Sequence, residues 1–193
     1  MKIGLFGGSF DPVHNGHVAL ARAALADAGL DRVILIPAAQ APLKPDVAQV
    51  SAEHRLRMVR LAVADEPGLE VSDAEVRRGG VNYTVDTVRA LREQFAGDDL
   101  FWIIGADQLP RLSRWREIGA LAGMVEFLCA ARPGHVLRPP ADVPGLRWRR
   151  LGAPEWDVSS TELRERIARG ESPAGLMPNK TIEYLERNRL YRR

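Results

Sequence analysis

Short apolar segments alternate with longer amphipathic segments along this chain. The apolar segments have the length of buried strands, and they cover residues 2–6, 33–36, 69–72, 100–104 and 124–130. In the amphipathic segments, apolar residues recur every three or four positions, which is typical of a helix with one buried face. These helices are predicted over residues 16–28, 51–65 and 84–95. Because strands alternate with helices, the pattern predicts βαβ units and a mainly parallel sheet.

The pattern of elements contains no internal repeat and no break that would divide the chain into separate units. Its 193 residues, 46% of them apolar, suffice for one sizeable hydrophobic core. We therefore expect one α/β domain over residues 1–193, with a Rossmann-like sheet of about five strands and helices on both faces. Two proline-rich segments, residues 37–50 and 132–145, are predicted to be loops. The second is either a functional lid or a simple insertion.

Charge and cysteine content exclude several classes of protein. The net charge is only +2, and the basic clusters at residues 147–150 and 187–193 are interpreted as solvated faces, not as a nucleic-acid surface. The sequence contains neither a signal peptide nor an apolar run of membrane-spanning length, so we expect a cytoplasmic protein without a membrane partner. The single cysteine, Cys129, is predicted to be a buried core residue, which leaves no cysteine cluster for zinc.

Residues suited to a phosphate site follow the end of the first predicted strand. Gly7 and Gly8 come directly after it, and His14 and His17 stand just before an apolar helical pattern that begins at Val18. Glycines let backbone N–H groups approach a ligand closely, and a helix N-terminus favours anions. Histidines add donors that can carry charge near neutral pH. The arrangement predicts a phosphate site, although a glycine pair alone is usually only a turn and a lone histidine is usually a packed or exposed residue.

Two common nucleotide-binding motifs are absent from the sequence. The first turn lacks Gly-x-Gly-x-x-Gly, and the second strand, residues 33–36, does not end in the Asp or Glu that a dehydrogenase uses to bind ribose. A Gly-x-x-x-x-Gly-Lys-(Ser/Thr) motif is also missing, which argues against a P-loop ATPase. The prediction of a nucleotide site therefore depends on the histidines and not on the glycines alone.

A second candidate phosphate-binding segment lies near the other end of the sequence. Ser159 and Glu162 have the spacing of a capping box at the start of a helix. Arg164 follows Ser160 by four residues, so the two side chains share a helix face. Hydroxyls, backbone N–H groups and a guanidinium at one helix start suit the terminal phosphates of a nucleotide. The alternative is a well-capped helix that binds no ligand.

These two segments resemble the signatures of a known family. Residues 9–17 resemble the (Ser/Thr)-Phe-Asp-Pro-x-His-x-Gly-His signature of the nucleotidyltransferases related to class I aminoacyl-tRNA synthetases. Residues 158–164 resemble their second signature, (Ile/Val)-Ser-Ser-Thr-x-(Ile/Leu)-Arg, which contacts ATP phosphates in that family. The resemblance implies that the chain binds ATP and transfers its adenylyl group.

Further segments resemble the bacterial nicotinate-nucleotide adenylyltransferases within that family. Residues 82–87 are similar to their Tyr-Thr-x-(Asp/Gln)-Thr segment, and residues 103–109, followed by Trp115, are similar to their Gly-x-Asp-x-Leu…Trp segment. Residues 130–134 resemble their Arg-Pro-Gly segment, and residues 178–191 resemble their closing helix and Leu-Tyr end. The resemblance therefore covers nearly the whole chain.

The family resemblance implies a reaction and a set of site residues. Nicotinate mononucleotide and ATP, with Mg²⁺, would give deamido-NAD and pyrophosphate, a step of NAD biosynthesis. The residues implied in catalysis are His14, His17, Lys44 and Arg164. The residues implied in ATP binding are Gly7, Gly8, Ser9, Phe10, Gly105, Asp107, Arg132, Ser159, Ser160 and Thr161. The residues implied in binding the mononucleotide are Tyr83, Thr84 and Trp115, and no residue is assigned to a metal.

Other interpretations of single residues and of the whole chain stay open. Trp115 could be a core residue, and Asp107 could cap the turn that contains Pro110. Members of the family often have Pro-Pro-His-Lys where this chain has Leu43 before Lys44, although Lys44 can still act as a point charge for phosphate. The acceptor could instead be phosphopantetheine or nicotinamide mononucleotide, or the chain could bind nucleotides without catalysis. A homo-oligomer also stays open.

Overall fold

The computed structural model of the chain describes residues 1–40, 50–131, 136–152 and 158–192. Within these ranges, one sheet contains the strands β1 (Lys2–Gly8), β2 (Arg32–Pro37), β3 (Leu69–Val71), β4 (Asp99–Gly105), β5 (Glu126–Ala130) and β6 (Trp148–Leu151). Their order across the sheet is β3-β2-β1-β4-β5-β6, and every neighbouring pair is parallel. The predicted α/β fold with a Rossmann-like parallel sheet is confirmed.

Helices connect the strands of the sheet. They are α1 (Asn15–Ala28), α2 (Ala52–Ala62), α3 (Ala74–Arg78), α4 (Thr84–Gln94), α5 (Ile118–Met124), α6 (Ser160–Ala168) and α7 (Asn179–Arg187). A 3₁₀ turn covers Leu109–Arg114. Helix α1 ends at Gly29, where a left-handed φ of 59° lets the backbone N–H bond to the carbonyl of Leu25.

The hydrophobic core forms two layers, one on each face of the sheet. On one face, strand residues such as Phe6 and Leu35 pack against α1, α2, α6 and α7. On the other face, residues such as Leu5 and Phe127 pack against α4 and α5. Neighbouring residues Leu5 and Phe6 thus serve opposite layers, as the two-residue period of a strand requires. The prediction of helices on both faces is confirmed.

The sheet has one strand more than the sequence pattern predicts. This sixth strand, β6, lies within the basic cluster at residues 147–150, where Arg149 and Arg150 are exposed and Leu151 is buried. Arg149 Nε forms an ion pair with Glu126 Oε1 at 3.1 Å. Charged residues on an edge strand hide its apolar pattern and discourage pairing with another sheet. The predicted strand at residues 124–130 also starts later, at Glu126, because its first residue ends α5.

The topology of the sheet determines where a ligand can bind. From β1, the chain continues to β2 on one side and later returns to β4 on the other side. Ligands of open parallel sheets bind outside the carboxyl ends of the strands at such a switch point. Gly7 and Gly8 lie at this end of β1, and Gly105 is the last residue of β4 beside it. The first candidate phosphate segment therefore lies at the switch point.

The single cysteine lies in the core of the sheet. Cys129 is fully buried in β5, as predicted, and burial raises the pKa of its thiol to about 12. Of the helices in the described part of the chain, none is long and apolar enough to span a bilayer.

Candidate active site

Residues 9–14 connect β1 to α1 and form what we call the signature loop. The glycines before this loop are closely covered by aromatic rings. A Cβ atom at Gly7 would lie 2.6 Å from the ring of Trp102, and one at Gly8 would lie 3.1 Å from the ring of Phe10. Phe10 itself has a left-handed φ of 47°, a conformation that is costly for a non-glycine residue and concentrates at functional sites. A side chain at Gly7 would therefore displace the ring of Trp102, and one at Gly8 would press on the ring of Phe10.

His14 and His17 stack on each other at the start of α1. Their ring centroids are 3.7 Å apart, and Phe10 meets His17 edge-on at 5.0 Å. Nδ1 of His17 accepts a hydrogen bond from the backbone N–H of His14 at 3.2 Å. Because this nitrogen accepts, the proton of a neutral His17 lies on Nε2, which then acts as a donor. His14 is buried and His17 is half-buried, so His17 is not enclosed in the core.

The two predicted phosphate-binding segments meet in the structure. Ser160 Oγ donates a hydrogen bond to the carbonyl of Pro12 at 3.0 Å. Arg164 Nη1 donates to the carbonyl of Asp11 at 2.8 Å, and its Nη2 donates to Oγ1 of Thr161 at 3.2 Å. Residues far apart in the sequence thus bring the first turn of α6 against the signature loop.

The start of α6 also has the predicted capping box. The backbone N–H of Glu162 donates to Oγ of Ser159 at 3.2 Å, and the backbone N–H of Ser159 donates to Oε2 of Glu162 at 3.0 Å. The cap accounts for the helix start but not for the bonds from Ser160 and Arg164 to the signature loop. Capping is therefore only one function of this segment.

The carboxylate of Asp11 lies buried in the signature loop, with 3% of the residue exposed. Its Oδ1 accepts a hydrogen bond from the hydroxyl of Tyr191 at 2.7 Å. Its Oδ2 lies 3.9 Å from Nη1 of Arg164 and makes no hydrogen bond within the described ranges. Burial and the charge of Asp11 raise the pKa of Tyr191, so its phenol stays protonated and remains a donor.

Arg55 supports the signature loop from inside the fold. This residue of α2 is 1% exposed, and burial lowers the pKa of its guanidinium while the charge of Asp11 opposes that shift. Its guanidinium donates to four backbone carbonyls, at distances of 2.7 to 2.9 Å, on Ser9, Ala38, Ala39 and Val50. The loops after β1 and β2 are therefore joined through one buried side chain.

The residues predicted to bind the mononucleotide lie on the other face of the sheet. Tyr83 precedes Thr84 at the start of α4, and the guanidinium of Arg116 lies 4.6 Å from the centre of the Tyr83 ring. Trp115, the neighbour of Arg116, is half-buried and meets Phe127 edge-on at 6.3 Å. Its buried indole Nε1 has no hydrogen-bond partner among the residues that the structure describes. Trp115 thus packs on the core while part of the residue stays accessible.

Gly105 and Asp107 form a tight turn after β4. A Cβ atom at Gly105 would lie 2.8 Å from Oδ1 of Asp107, so the glycine makes room for this carboxylate. Asp107 Oδ2 accepts a hydrogen bond from Nε2 of Gln108 at 2.6 Å. The residue at the N-cap of the following 3₁₀ turn is Gln108, so Asp107 does not cap that turn.

Two predicted site residues, Lys44 and Arg132, lie outside the described residues, and their roles stay predictions. The structure also places three residues at the site that the sequence did not predict there: Asp11, Arg55 and Tyr191. One signal was present for Arg55, because it occupies the same helix face as the buried Val59 and Ala62. An arginine on an apolar helix face indicates a buried partner.

Comparison with known proteins matches this chain to one family, two relatives and one solved structure. The chain matches the cytidylyltransferase-like family over residues 5–166. A probable nicotinate-nucleotide adenylyltransferase of Opitutus terrae is 50% identical over 192 residues, which cover 100% of this chain and 98% of that protein. The nicotinate-nucleotide adenylyltransferase of Bacillus subtilis is 37% identical over 195 residues, 98% of each chain. The solved Plasmodium falciparum nicotinic acid mononucleotide adenylyltransferase complexed with NaAD has a TM-score of 0.81 at 17% identity, over 98% of this chain and 97% of that one.

The parallel sheet and its switch-point loop define the class of this protein, a Rossmann-like nucleotidyltransferase fold. The likeness to the Plasmodium structure concerns the fold alone, whereas the matches in sequence extend over the whole chain. The chain belongs to the cytidylyltransferase-like family and, within it, to the nicotinate-nucleotide adenylyltransferases.

Proposed function

We propose that this chain is an enzyme that transfers the adenylyl group of ATP to nicotinate mononucleotide, giving deamido-NAD and pyrophosphate in NAD biosynthesis. Two relatives that align over nearly the whole chain support this activity, a probable nicotinate-nucleotide adenylyltransferase of Opitutus terrae and the nicotinate-nucleotide adenylyltransferase of Bacillus subtilis. One structural observation carries the proposal, the 2.8 Å hydrogen bond from Arg164 Nη1 to the carbonyl of Asp11. This bond joins the start of α6, which carries Arg164, to the signature loop before His17. Both lie at the switch point of the sheet, where a bound triphosphate would contact Arg164 and the histidines together.

The proposed reaction forms one bond and breaks another at the α-phosphorus of ATP. An oxygen of the mononucleotide phosphate attacks in line, and the bond to the bridging oxygen of pyrophosphate breaks. The attacking phosphate is largely ionised at neutral pH, so the enzyme needs no general base. Catalysis of such a transfer depends on positioning and on stabilising charge.

Donors around the signature loop would stabilise that charge. We assign to Nε2–H of His17 a hydrogen bond to an oxygen of the α-phosphate, because Nδ1 is already an acceptor for the His14 N–H. The bond also fixes the ring, so no reorganisation is needed during transfer. His14 would be a second donor, and Lys44 and Arg164 would neutralise phosphate charge. The backbone from Gly7 to Phe10, together with Gly105, Asp107, Arg132 and residues 159–161, would hold the rest of ATP.

Mg²⁺ would accompany the ATP phosphates. Nowhere in the described ranges do three His, Cys, Asp or Glu side chains converge on a metal position. This fits a cation that takes its oxygen ligands from phosphates and water, as Mg²⁺ prefers. When bound, the ion would neutralise phosphate charge.

The acceptor would bind beside α4. Tyr83, Thr84 and Trp115 would surround the nicotinate ring, with the Trp115 ring stacked on it. Backbone N–H groups near Tyr83 and Thr84 would bind the nicotinate carboxylate. We expect the enzyme to work in the cytoplasm with these two small substrates, without nucleic acid or membrane.

Pyrophosphate release tests the proposal. ATP is incubated with the purified chain alone and with nicotinate mononucleotide, phosphopantetheine or nicotinamide mononucleotide, and the products are identified by mass. We expect release with nicotinate mononucleotide and formation of deamido-NAD. Turnover of phosphopantetheine alone would assign a different transferase activity. Binding of ATP without pyrophosphate release from any acceptor would indicate a non-catalytic nucleotide-binding protein.

A further inference from the structure

The segment after α7 reaches the signature loop through one side chain. Arg189 and Tyr191 both have left-handed φ angles, of 53° and 61°, and neither is glycine. Such a conformation carries an energetic cost and persists where surrounding contacts hold it. The buried Leu190 between them is one such contact, and the bond from the Tyr191 hydroxyl to Asp11 Oδ1 at 2.7 Å is another. The segment is thus folded so that a phenol meets the loop.

The phenol of Tyr191 bonds to the carboxylate of Asp11. This carboxylate lies 3.9 Å from the guanidinium of Arg164, and the buried guanidinium of Arg55 bonds to the carbonyl of Ser9 in the same loop. Arg55 directs its donors to backbone carbonyls, and Arg164 directs Nη1 to the carbonyl of Asp11 rather than to its carboxylate. Oδ2 is 3.9 Å from that Nη1, a distance too long for a hydrogen bond. A small rotation of the carboxylate would turn this separation into a direct, charge-assisted pair.

We propose that Tyr191 is a positioning residue: its hydroxyl fixes the Asp11 carboxylate and thereby keeps the Arg164 guanidinium available to the phosphates of ATP. The inference rests on the proposed function, because it takes ATP as the ligand of Arg164. Without the hydroxyl, Oδ1 loses its donor and the carboxylate turns toward Arg164. The nucleotide phosphates then compete with an internal anion for the same cation. Burial keeps the Tyr191 phenol protonated, so the donor is present throughout the physiological pH range.

The test is Tyr191→Phe, which keeps the ring and its packing and removes only the hydroxyl. ATP affinity is measured by calorimetry, and KM is measured for both substrates. We expect ATP to bind about tenfold more weakly, the size expected for one hydrogen bond to a charged group, while KM for nicotinate mononucleotide changes less than about twofold. The matched control is Tyr184→Phe, which removes the hydroxyl that bonds to Nδ1 of His54 at 2.8 Å. The control should leave ATP affinity unchanged.

A second variant separates positioning from simple loss of packing. In Tyr191→Phe combined with Asp11→Asn, the side chain of residue 11 has no charge with which to hold Arg164. We expect this double variant to recover part of the ATP affinity that Tyr191→Phe loses, whereas a purely structural role for Tyr191 predicts a further loss. Unchanged ATP affinity in a folded Tyr191→Phe, or no recovery in the double variant, overturns the inference. Because calorimetry reports ATP binding without turnover, a failure of the proposed activity is seen separately in the pyrophosphate assay.

Discussion

The backbone N–H of His14 donates a hydrogen bond to Nδ1 of His17 at 3.2 Å, so the two histidines at the start of α1 are coupled. Their rings stack at 3.7 Å, and Phe10 meets the His17 ring edge-on at 5.0 Å. The position of the His17 ring and the tautomer of its neutral form are therefore set by its neighbours. A fixed donor of this kind is what transfer of a charged group requires.

Replacing His17 by Ala should reduce turnover much more than ATP binding. Loss of one preorganised donor typically lowers kcat by about 10²–10³-fold. We expect the variant to fold normally and to retain ATP affinity in calorimetry, because its role is to stabilise charge that grows during transfer.

Two further substitutions control this experiment. His54→Ala removes a half-buried histidine of α2 that bonds to Tyr184, and it should leave kcat unchanged. His17→Gln should retain more activity than His17→Asn, because only the longer amide brings its N–H group near the position of Nε2. Reduced stability with near-normal kcat in His17→Ala would mean that this histidine serves packing.

Replacing Trp115 by Ala separates stacking on the substrate from packing on Phe127. Loss of a ring that stacks on an aromatic ligand should raise KM for nicotinate mononucleotide by about tenfold. The edge-on contact with Phe127 predicts an additional, modest loss of stability, roughly 1–2 kcal/mol. The matched control is Trp148→Ala on β6. We expect this variant to lose stability and to keep its KM for nicotinate mononucleotide. A large fall in melting temperature with unchanged KM in Trp115→Ala would assign Trp115 to the core alone.

Replacing Arg55 by Met should destabilise the fold strongly, because several buried backbone carbonyls lose their donors together. We expect a loss of roughly 2–4 kcal/mol in the free energy of unfolding, measured by denaturant titration. Arg57→Met, at an exposed position of the same helix, should stay within about 0.5 kcal/mol of the unmodified chain. Equal stability of the two variants would refute a supporting role for Arg55.

The raised pKa of Glu75 predicts how the free energy of unfolding changes with pH. Burial raises its pKa, which the hydrogen bond from Thr87 Oγ1 at 2.7 Å only partly offsets. A carboxyl whose pKa is raised by folding stabilises the folded state while protonated, and this contribution is lost as pH rises from the unfolded value, about 4.3, through the folded one. Glu75→Gln keeps an oxygen for Thr87 and has no charge to bury.

The free energy of unfolding of Glu75→Gln, minus that of the unmodified chain, should therefore increase as pH rises from about 4 toward neutrality. The exposed Glu183→Gln serves as the control, and its difference should stay nearly constant with pH. A constant difference for Glu75→Gln as well would show that Glu75 has the same affinity for protons in the folded and unfolded chain.

Elements with a strong local pattern could be predicted from the sequence, and those without one could not. Strands β1, β2 and β4 are apolar runs bounded by turn residues, so their positions follow from the local sequence pattern. Helices α3 and α5 have only five and seven residues, too few for a helical period to be recognised. In β6, Arg149 and Arg150 conceal a strand that only its pairing with β5 reveals.

In the candidate site, too, only the residues with a local sequence signal could be predicted. The histidines, Ser159 to Thr161, and Arg164 follow from local spacing and from the family resemblance. The bond between Asp11 and Tyr191 joins residues 180 positions apart, and Arg55 meets Ser9 across 46 positions. Neither pair has a periodic or local signal, because each contact exists only after the sheet has brought its loops together. Tertiary contacts of this kind require the structure.

We propose that this site joins an adenylyl group to nicotinate mononucleotide in preference to nicotinamide mononucleotide. The most direct measurement is the ratio of kcat/KM for nicotinate mononucleotide to that for nicotinamide mononucleotide, with ATP saturating. A carboxylate can accept several N–H bonds, whereas the NH₂ of the amide leaves such donors unpaired, so the ratio should be at least about 10². Equal kcat/KM for the two acceptors would contradict the claim.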